Sequence, residues 1–251
     1  MTDNSPSSSP ADSAGAHAFV RAVTRSRPAD GVVGPLWLRR AAQRVQDDPG
    51  TFLAWLEAIL GDEEAVREAA KRSYWHPNGF AKMVLHSSAE FRIRLHVWPA
   101  STEPSRGESN PHSHRWEFAS TVVAGEGMHM VEYGETDEGG ELHTRYWYGA
   151  DPADPAALRR DGQARLRKLR APHVRRGQVY SCDTEVVHTV RPIEAGLTAT
   201  LVFQGPHRSA KTVVYCLPGQ TDDQPNGEMS EEEFSLLVES VVAAFTERIS
   251  S

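Results

Sequence analysis

The stretch Asn110-Pro-His112-Ser-His114-Arg-Trp116-Glu117-Phe118 places two histidines two residues apart in a strand-like segment. Side chains alternate along a strand, so both imidazoles would point to one face and could reach one metal ion. A candidate third ligand lies downstream, in Gly177-Gln-Val-Tyr-Ser-Cys-Asp-Thr-Glu-Val-Val-His188. There a turn glycine precedes a short β-branched strand that ends in histidine. The two stretches together predict a metal site made of His112, His114 and His188.

These stretches resemble the two conserved motifs of the cupin superfamily. The first motif is His-x-His followed by a glycine at the strand end, here Gly125, and the second is a glycine turn with a histidine eleven residues on, here Gly177 and His188. The proline-x-glycine that usually precedes the second histidine is absent, since residues 183–185 are Asp-Thr-Glu. The resemblance covers roughly residues 75–218. It implies an all-β cupin double-stranded β-helix, or jelly-roll barrel, that holds the metal.

The strand pattern of the chain points to the same fold class. Short runs with period-two alternation fill residues 74–218 and are separated by Gly, Ser, Pro or acidic loops, a spacing typical of β-sandwiches and jelly rolls. Along 91–98 the apolar residues Phe91, Ile93, Leu95 and Val97 alternate with polar or aromatic ones. We expect these odd positions to face the barrel core.

Four segments are expected along the chain. Residues 1–15, rich in Ser, Pro, Ala and Asp, predict a disordered tail. Residues 16–72 predict a helical subdomain packed on the barrel, with helices at 16–25, 36–45, 52–60 after a Thr51 cap, and 62–72 after an Asp62 cap. The cupin barrel is expected over 73–218. Residues 219–251 predict a linker and an amphipathic helix, which a capping box at 230–233 begins.

Composition and charge exclude several functional classes. The 251-residue chain is 39% hydrophobic, carries a net charge of −7 and has no basic stretch long enough to follow a nucleic-acid backbone. No apolar run reaches the ~18 to 20 residues of a membrane span, and the N-terminus lacks a signal-peptide pattern. We therefore expect a cytoplasmic protein that binds neither nucleic acid nor membrane. The two cysteines, Cys182 and Cys216, are expected to be ordinary buried thiols without a disulfide.

Glu117 marks a departure from the cupin pattern. Most metal-binding cupins add a glutamate with six residues between it and the strand-end glycine, and Phe118 takes that place here. Glu117 is one residue early, so alternation turns it to the opposite face unless a bulge re-aims it. Three-histidine cupins without the acid include the thiol dioxygenases related to cysteine dioxygenase, which this site resembles. That resemblance implies Fe(II) and O2.

The ligand set also suggests the charge of the substrate. Three neutral imidazoles leave a site near +2, which favours an anionic chelating molecule such as a thiolate, carboxylate or enolate. Arg94 on its strand fits a solvated strand face, and it is also the candidate cation for a substrate carboxylate. Tyr133 and His129 could line the pocket or simply pack. Trp116 and Phe118 are expected to form an apolar wall around the metal.

Three functional classes remain open. The first is a mononuclear Fe(II) dioxygenase or other oxygenase that acts on a small anionic chelating metabolite. The second is a non-redox cupin lyase, isomerase or hydrolase that uses Zn, Ni or Mn as a Lewis acid. The third is a ligand-binding cupin without chemistry. A homodimer is expected as the assembly that cupins often form, and the fold alone does not choose among the three classes.

Overall fold

The computed structural model describes residues 18–101, 107–149, 157–221 and 225–249 of the chain. The predicted disordered tail at 1–15 and the start of the first predicted helix lie outside these ranges. The helices, numbered here in chain order, are α1 Ala18–Arg25, α2 Pro35–Asp47, α3 Pro49–Leu60, α4 Glu63–Ala70 and α5 Glu231–Ile249. None of them combines the length and the apolar character needed to cross a membrane.

Side-chain caps fix where three of these helices begin. The Asp62 carboxylate accepts hydrogen bonds from the backbone N–H groups at the start of α4, as predicted. In the capping box of α5, Ser230 and Glu233 bond each other's backbone N–H at 3.1 and 2.8 Å. For α3 the expected Thr51 cap was wrong. The helix begins at Pro49, and Asp48 caps it by accepting from Thr51 N at 3.1 Å.

The remaining elements are strands that occur in two antiparallel sheets. In chain order they are β1 Tyr74–His76, β2 Phe80–Ser87, β3 Arg92–Trp98, β4 Glu108–His112, β5 Trp116–Ala124, β6 Gly127–Thr136, β7 Glu141–Tyr148, β8 Arg159–Arg170, β9 His173–Arg175, β10 Val179–Cys182, β11 Val187–Pro192, β12 Thr198–His207, β13 Thr212–Cys216 and β14 Gly227–Glu228.

Strand order confirms the predicted jelly-roll barrel. Within the described residues the first sheet has the order β10-β5-β12-β3-β2-β1-β14, and the second has the order β11-β4-β13-β7-β8-β6-β9. A further pairing of β11 with β6 closes the second sheet on itself. Closure removes exposed strand edges from that part of the barrel. The all-β class, the N-terminal helices and the C-terminal helix are therefore all present as predicted.

The helices cover one face of the first sheet with a continuous apolar core. Phe52 of α3 is fully buried, and its ring lies 5.5 Å from that of Phe19 in α1 and 5.0 Å from that of Phe245 in α5. The same core includes Leu95 of β3 and Phe203 of β12. Since helices and sheet share one core, we propose that residues 16–72 belong to the folding unit of the barrel rather than to a separate module.

The faces of β3 are the reverse of our expectation. Ile93, Leu95 and Val97 pack against the helices, whereas Arg94 and His96 line the interior of the barrel. The alternation itself was predicted correctly. The assignment of faces was wrong because the helical layer, and not the barrel interior, offers the larger apolar surface to this strand.

The chain also changes sheets within the first histidine motif. β4 ends at His112 in the second sheet, and β5 begins at Trp116 in the first, so His114 lies in the connection between them. The expectation that one continuous strand carries His112, His114, Trp116 and Phe118 was therefore wrong. The connection nevertheless brings His114 to the barrel interior, together with the ends of both strands.

Candidate metal centre

Three histidine side chains converge at one wall of the barrel interior. His112 ends β4, His114 follows in the connection, and His188 lies in β11, directly opposite His112 in the strand register. One ring nitrogen from each lies within 4.8 Å of the other two, and His114 Nε2 is 3.0 Å from His188 Nε2. Imidazole nitrogens stand about 2.0–2.1 Å from a bound Zn²⁺ ion, so ring movements of under about 1 Å would let all three share one ion.

Hydrogen bonds at Nδ1 of His112 and of His188 orient these two rings so that Nε2 of each faces the other histidines. His112 Nδ1 lies 2.9 Å from the Asn110 carbonyl oxygen and can only donate to it, which leaves Nε2 as the free ligand atom. His188 Nδ1 lies 3.4 Å from the Tyr180 hydroxyl, whose proton goes to Glu132 Oε1 at 2.9 Å. Glu132 in turn accepts from Arg170 Nε at 2.5 Å. The ligand tautomers are thus set by neighbouring groups.

The electrostatics of the group suit a cation. Burial lowers the pKa of His188 to about 3, and the neighbouring His112 adds to that shift. Burial likewise holds the pKa of His114 well below its ordinary value. Neutral rings carry the lone pair that a metal requires. His112 Nε2 is buried and has no hydrogen-bond partner in the described part of the chain, so these residues fit a divalent metal ion.

Glu117 lies apart from this group. Its carboxylate is 3.7 Å from the Arg208 guanidinium, and it contributes neither to the histidine group nor to the lining of the interior cavity. The side chain points to the face opposite Trp116 and Phe118, as strand alternation requires.

We therefore expect Glu117→Gln to retain the metal. The change removes a partly exposed ion pair with Arg208, so the free energy of unfolding should fall by at most about 1 kcal/mol. Metal content and thermal midpoint of the purified variant check both statements. A Glu117→Gln protein that lost its metal would show that the carboxylate reaches the centre and that a fourth ligand exists.

A cavity of about 640 Å³ extends from the histidines into the barrel. Arg94, the candidate substrate cation, and Trp116 and Phe118, the candidate apolar wall, all line it. The Arg94 guanidinium stands 5.4 Å from the Trp116 ring centre, which is 5.6 Å from that of His114. Arg94 Nε and Gln204 Oε1 are buried without hydrogen-bond partners among the described residues, so both remain available to a ligand.

Tyr133 and His129 do not reach this cavity. Both are odd-numbered residues of β6, whereas the residues of this strand that line the cavity, Met128 and Met130, are even-numbered. Tyr133 packs instead against a separate apolar cluster that contains Leu166, and His129 makes an edge contact with His173 at 4.0 Å between ring centres. Of the two roles left open for these residues, the geometry agrees with packing, because only the even-numbered residues of this part of β6 face inward.

Sequence reasoning missed a polar cluster beside the histidines. Lys82 of β2 is hydrogen-bonded to the Glu108 carboxylate, whose two oxygens also lie 3.8 Å from His76 Nε2 and 3.5 Å from His112 Nε2. All four side chains line the cavity. Glu108 could have been found by counting back along β4, since Glu108 and His112 share one strand face. No comparable signal in the sequence joins it to Lys82.

The ion pair has a larger effect than burial on the pKa values of Glu108 and Lys82. Burial alone would raise the pKa of Glu108, but the Lys82 ammonium, followed by His112 and His76, holds it well below its usual range. Burial alone would lower the pKa of Lys82, and the Glu108 carboxylate raises it instead. Both groups are therefore ionised at neutral pH. His76 remains neutral, because burial lowers its pKa to about 4.

Comparison with known proteins gives a fold likeness only. No family model and no curated protein matches the sequence. Among solved structures, an RmlC-like cupin from Shewanella frigidimarina is 15% identical, with a TM-score of 0.29 over 53% of this chain and 80% of that one. An RmlC-like cupin from Desulfovibrio desulfuricans is 20% identical, with a TM-score of 0.27 over 51% and 82%. A double-stranded β-helix protein from Klebsiella pneumoniae is 12% identical, with a TM-score of 0.32 over 60% and 93%.

Likeness at this level carries no inference about activity. The protein's own strand order and side-chain geometry define its class: a cupin-fold barrel with a three-histidine group that could hold a metal ion.

Proposed function

We propose that the protein is a mononuclear metal-dependent enzyme, an Fe(II) oxygenase that acts on an anionic chelating metabolite. The observation that carries this proposal is the convergence of His112, His114 and His188 at one wall of a cavity that is also lined by Arg94, whose Nε is buried. A cavity with convergent polar groups is the usual place for catalysis. A neutral three-nitrogen ligand set leaves the charge of a divalent ion uncompensated, so an anionic substrate would bind there favourably.

The chain's own residues then have distinct roles. His112, His114 and His188 would hold the metal, with the tautomer of His112 set by the Asn110 carbonyl and that of His188 by the Tyr180 hydroxyl. Bound Fe(II) would supply the redox chemistry with O2.

Around the metal, three cavity-lining side chains would bind the substrate and shield it from water. Arg94 would bind a substrate carboxylate through charge-assisted hydrogen bonds. Trp116 and Phe118, which lie near His114, would limit the access of water to the reacting atoms. The resemblance to thiol dioxygenases places thiols among the substrates to test.

A second candidate, a lyase, isomerase or hydrolase with a Lewis-acid metal, is favoured by the Lys82–Glu108–His76 cluster. These groups face the same cavity and adjoin His112, where a proton donor and a proton acceptor could serve bond cleavage without electron transfer. Zinc, nickel or manganese would suit this chemistry as well as iron.

Oxygen uptake distinguishes the two candidates. Protein loaded with Fe(II) under anaerobic conditions should consume O2 slowly alone and faster once a substrate binds, because an anionic ligand on the metal favours its oxidation. The screen covers small thiols, amino acids, 2-hydroxy acids and 2-oxo acids, with O2 concentration and the metal's absorption spectrum as readouts. Conversion of a substrate by zinc-loaded protein without O2, while iron-loaded protein consumes none with any compound that binds, would replace the oxygenase with the Lewis-acid enzyme.

A further inference from the structure

The cavity continues well beyond the histidines along the strands of the second sheet. In the pairing of β11 with β6, His188 lies opposite Glu132, and two residues further on Val190 lies opposite Met130. Met128 follows after another two residues of β6 and also lines the cavity. Inward-facing residues of a strand are about 6.6 Å apart, so Met128 lies about 13 Å along the strand from the level of His188. A molecule that contacted only the metal would leave this length empty.

Apolar side chains cover much of the second-sheet wall at these deeper levels, beside Glu108, which lies opposite Val190 and is paired with Lys82. The second sheet contributes Met128, Met130, Val174 and Val190, and these belong to one buried cluster. The first sheet adds Val122 at the level of Thr200, and Val202 nearer the histidines, opposite Arg94. Polar side chains of the first sheet, such as Thr200 and His96, stand on the facing wall. The deep part of the cavity thus has one apolar side that water would wet poorly.

Positive charge stands at the other end, beside the histidines. Arg94 and Arg115 both line the cavity, and each has a buried Nε without a hydrogen-bond partner in the described ranges. Neither forms an ion pair with a described carboxylate, and both act electrostatically on His207, whose ring stacks on Trp116. A buried guanidinium Nε without an acceptor is an unsatisfied donor, so a bound carboxylate that accepted from it would be stabilised.

We infer that the substrate is an amphipathic carboxylate, with its charged end at Arg94 and Arg115 and an apolar body that fills the deep part of the barrel. The volume of about 640 Å³ lies within the range of pockets that enclose drug-sized molecules, and a three-carbon acid would leave most of it unfilled. This inference rests on the proposed function only in taking the histidine group as the reacting end. It narrows the substrate class from small chelating anions to larger ones.

A series of straight-chain alkanoates from butanoate to octanoate tests this inference without turnover. Binding is measured by calorimetry on the full-length protein as purified, and again after removal of metal by chelation. Each added methylene that enters an apolar chamber should lower Kd about fourfold, so octanoate should bind on the order of a hundredfold more tightly than butanoate. A Kd that does not change with chain length, or no binding of any acid, would overturn the inference.

Variants separate the two ends of the site. Arg94→Gln should weaken all chain lengths by a similar factor of about ten or more, and Arg94→Lys should restore part of the loss. Met130→Trp should reduce the dependence of Kd on chain length, because the larger side chain fills the deep part of the cavity. Val190→Phe fills the same space and replaces Met130→Trp if that variant does not fold. Arg167→Gln, on the exposed strand β8, is the matched control and should bind like the wild type. Equal effects of Arg94→Gln and Arg167→Gln would also overturn the inference.

Failure here is distinguishable from failure of the proposed function. A clear chain-length trend without O2 uptake by any acid would contradict the oxygenase and leave the amphipathic site intact. A Kd that does not change with chain length, together with substrate-triggered O2 uptake, would overturn the amphipathic site and support the oxygenase.

Discussion

Lys82→Met should lower the free energy of unfolding by about 3–5 kcal/mol, the cost of leaving one partner of a buried ion pair alone. Lys82 and Glu108 are only 12% and 11% exposed at their side chains, and each holds the other in its charged form. Methionine has nearly the length of lysine but no charge, so Glu108 would keep a buried carboxylate without its strongest partner. Denaturant unfolding followed by circular dichroism measures the loss.

The double variant Lys82→Met/Glu108→Gln provides the control. Removing both charges should recover much of the stability, because a neutral amide is less costly to bury than a lone carboxylate. A Lys82→Met protein as stable as the wild type would contradict the paired-charge description.

The pH dependence has a defined sign. The depressed pKa of Glu108 stabilises the fold above the unfolded value of about 4.3, and this contribution is lost as pH falls through the folded pKa. The raised pKa of Lys82 stabilises the fold below about 10.4, and that contribution is lost as pH rises through its folded pKa. The pair therefore contributes fully between these two limits.

Local signals in the sequence predicted much of the fold. The capping box before α5 and the Asp62 cap of α4 involve neighbours within a few residues, and both occur as predicted. Strand alternation along β3 was also correct. Which face of β3 points inward depends on the helices that pack on the sheet, and this long-range choice is absent from the strand's own pattern.

In the candidate site, too, local patterns were predictable and long-range contacts were not. The spacing of His112, His114 and His188 sufficed to bring the three together as a hypothesis, even though the strand ends at His112, within the first motif. Partners from distant segments were not predictable. Lys82 meets Glu108 across 26 residues, and Tyr180 meets Glu132 across 48, because the barrel closes strands that are far apart in the chain.

The three-histidine centre is tested most directly by the metal content of His188→Ala beside the wild type and His129→Ala. The wild type should carry about one divalent ion per chain, and His188→Ala should lose most of it, because two remaining imidazoles hold such an ion weakly. His129 lies on a strand face turned away from the cavity, so His129→Ala should keep the wild-type content. Elemental analysis of the three proteins, purified in parallel, gives the result, and a His188→Ala protein with the metal content of the wild type would contradict the assignment of this site.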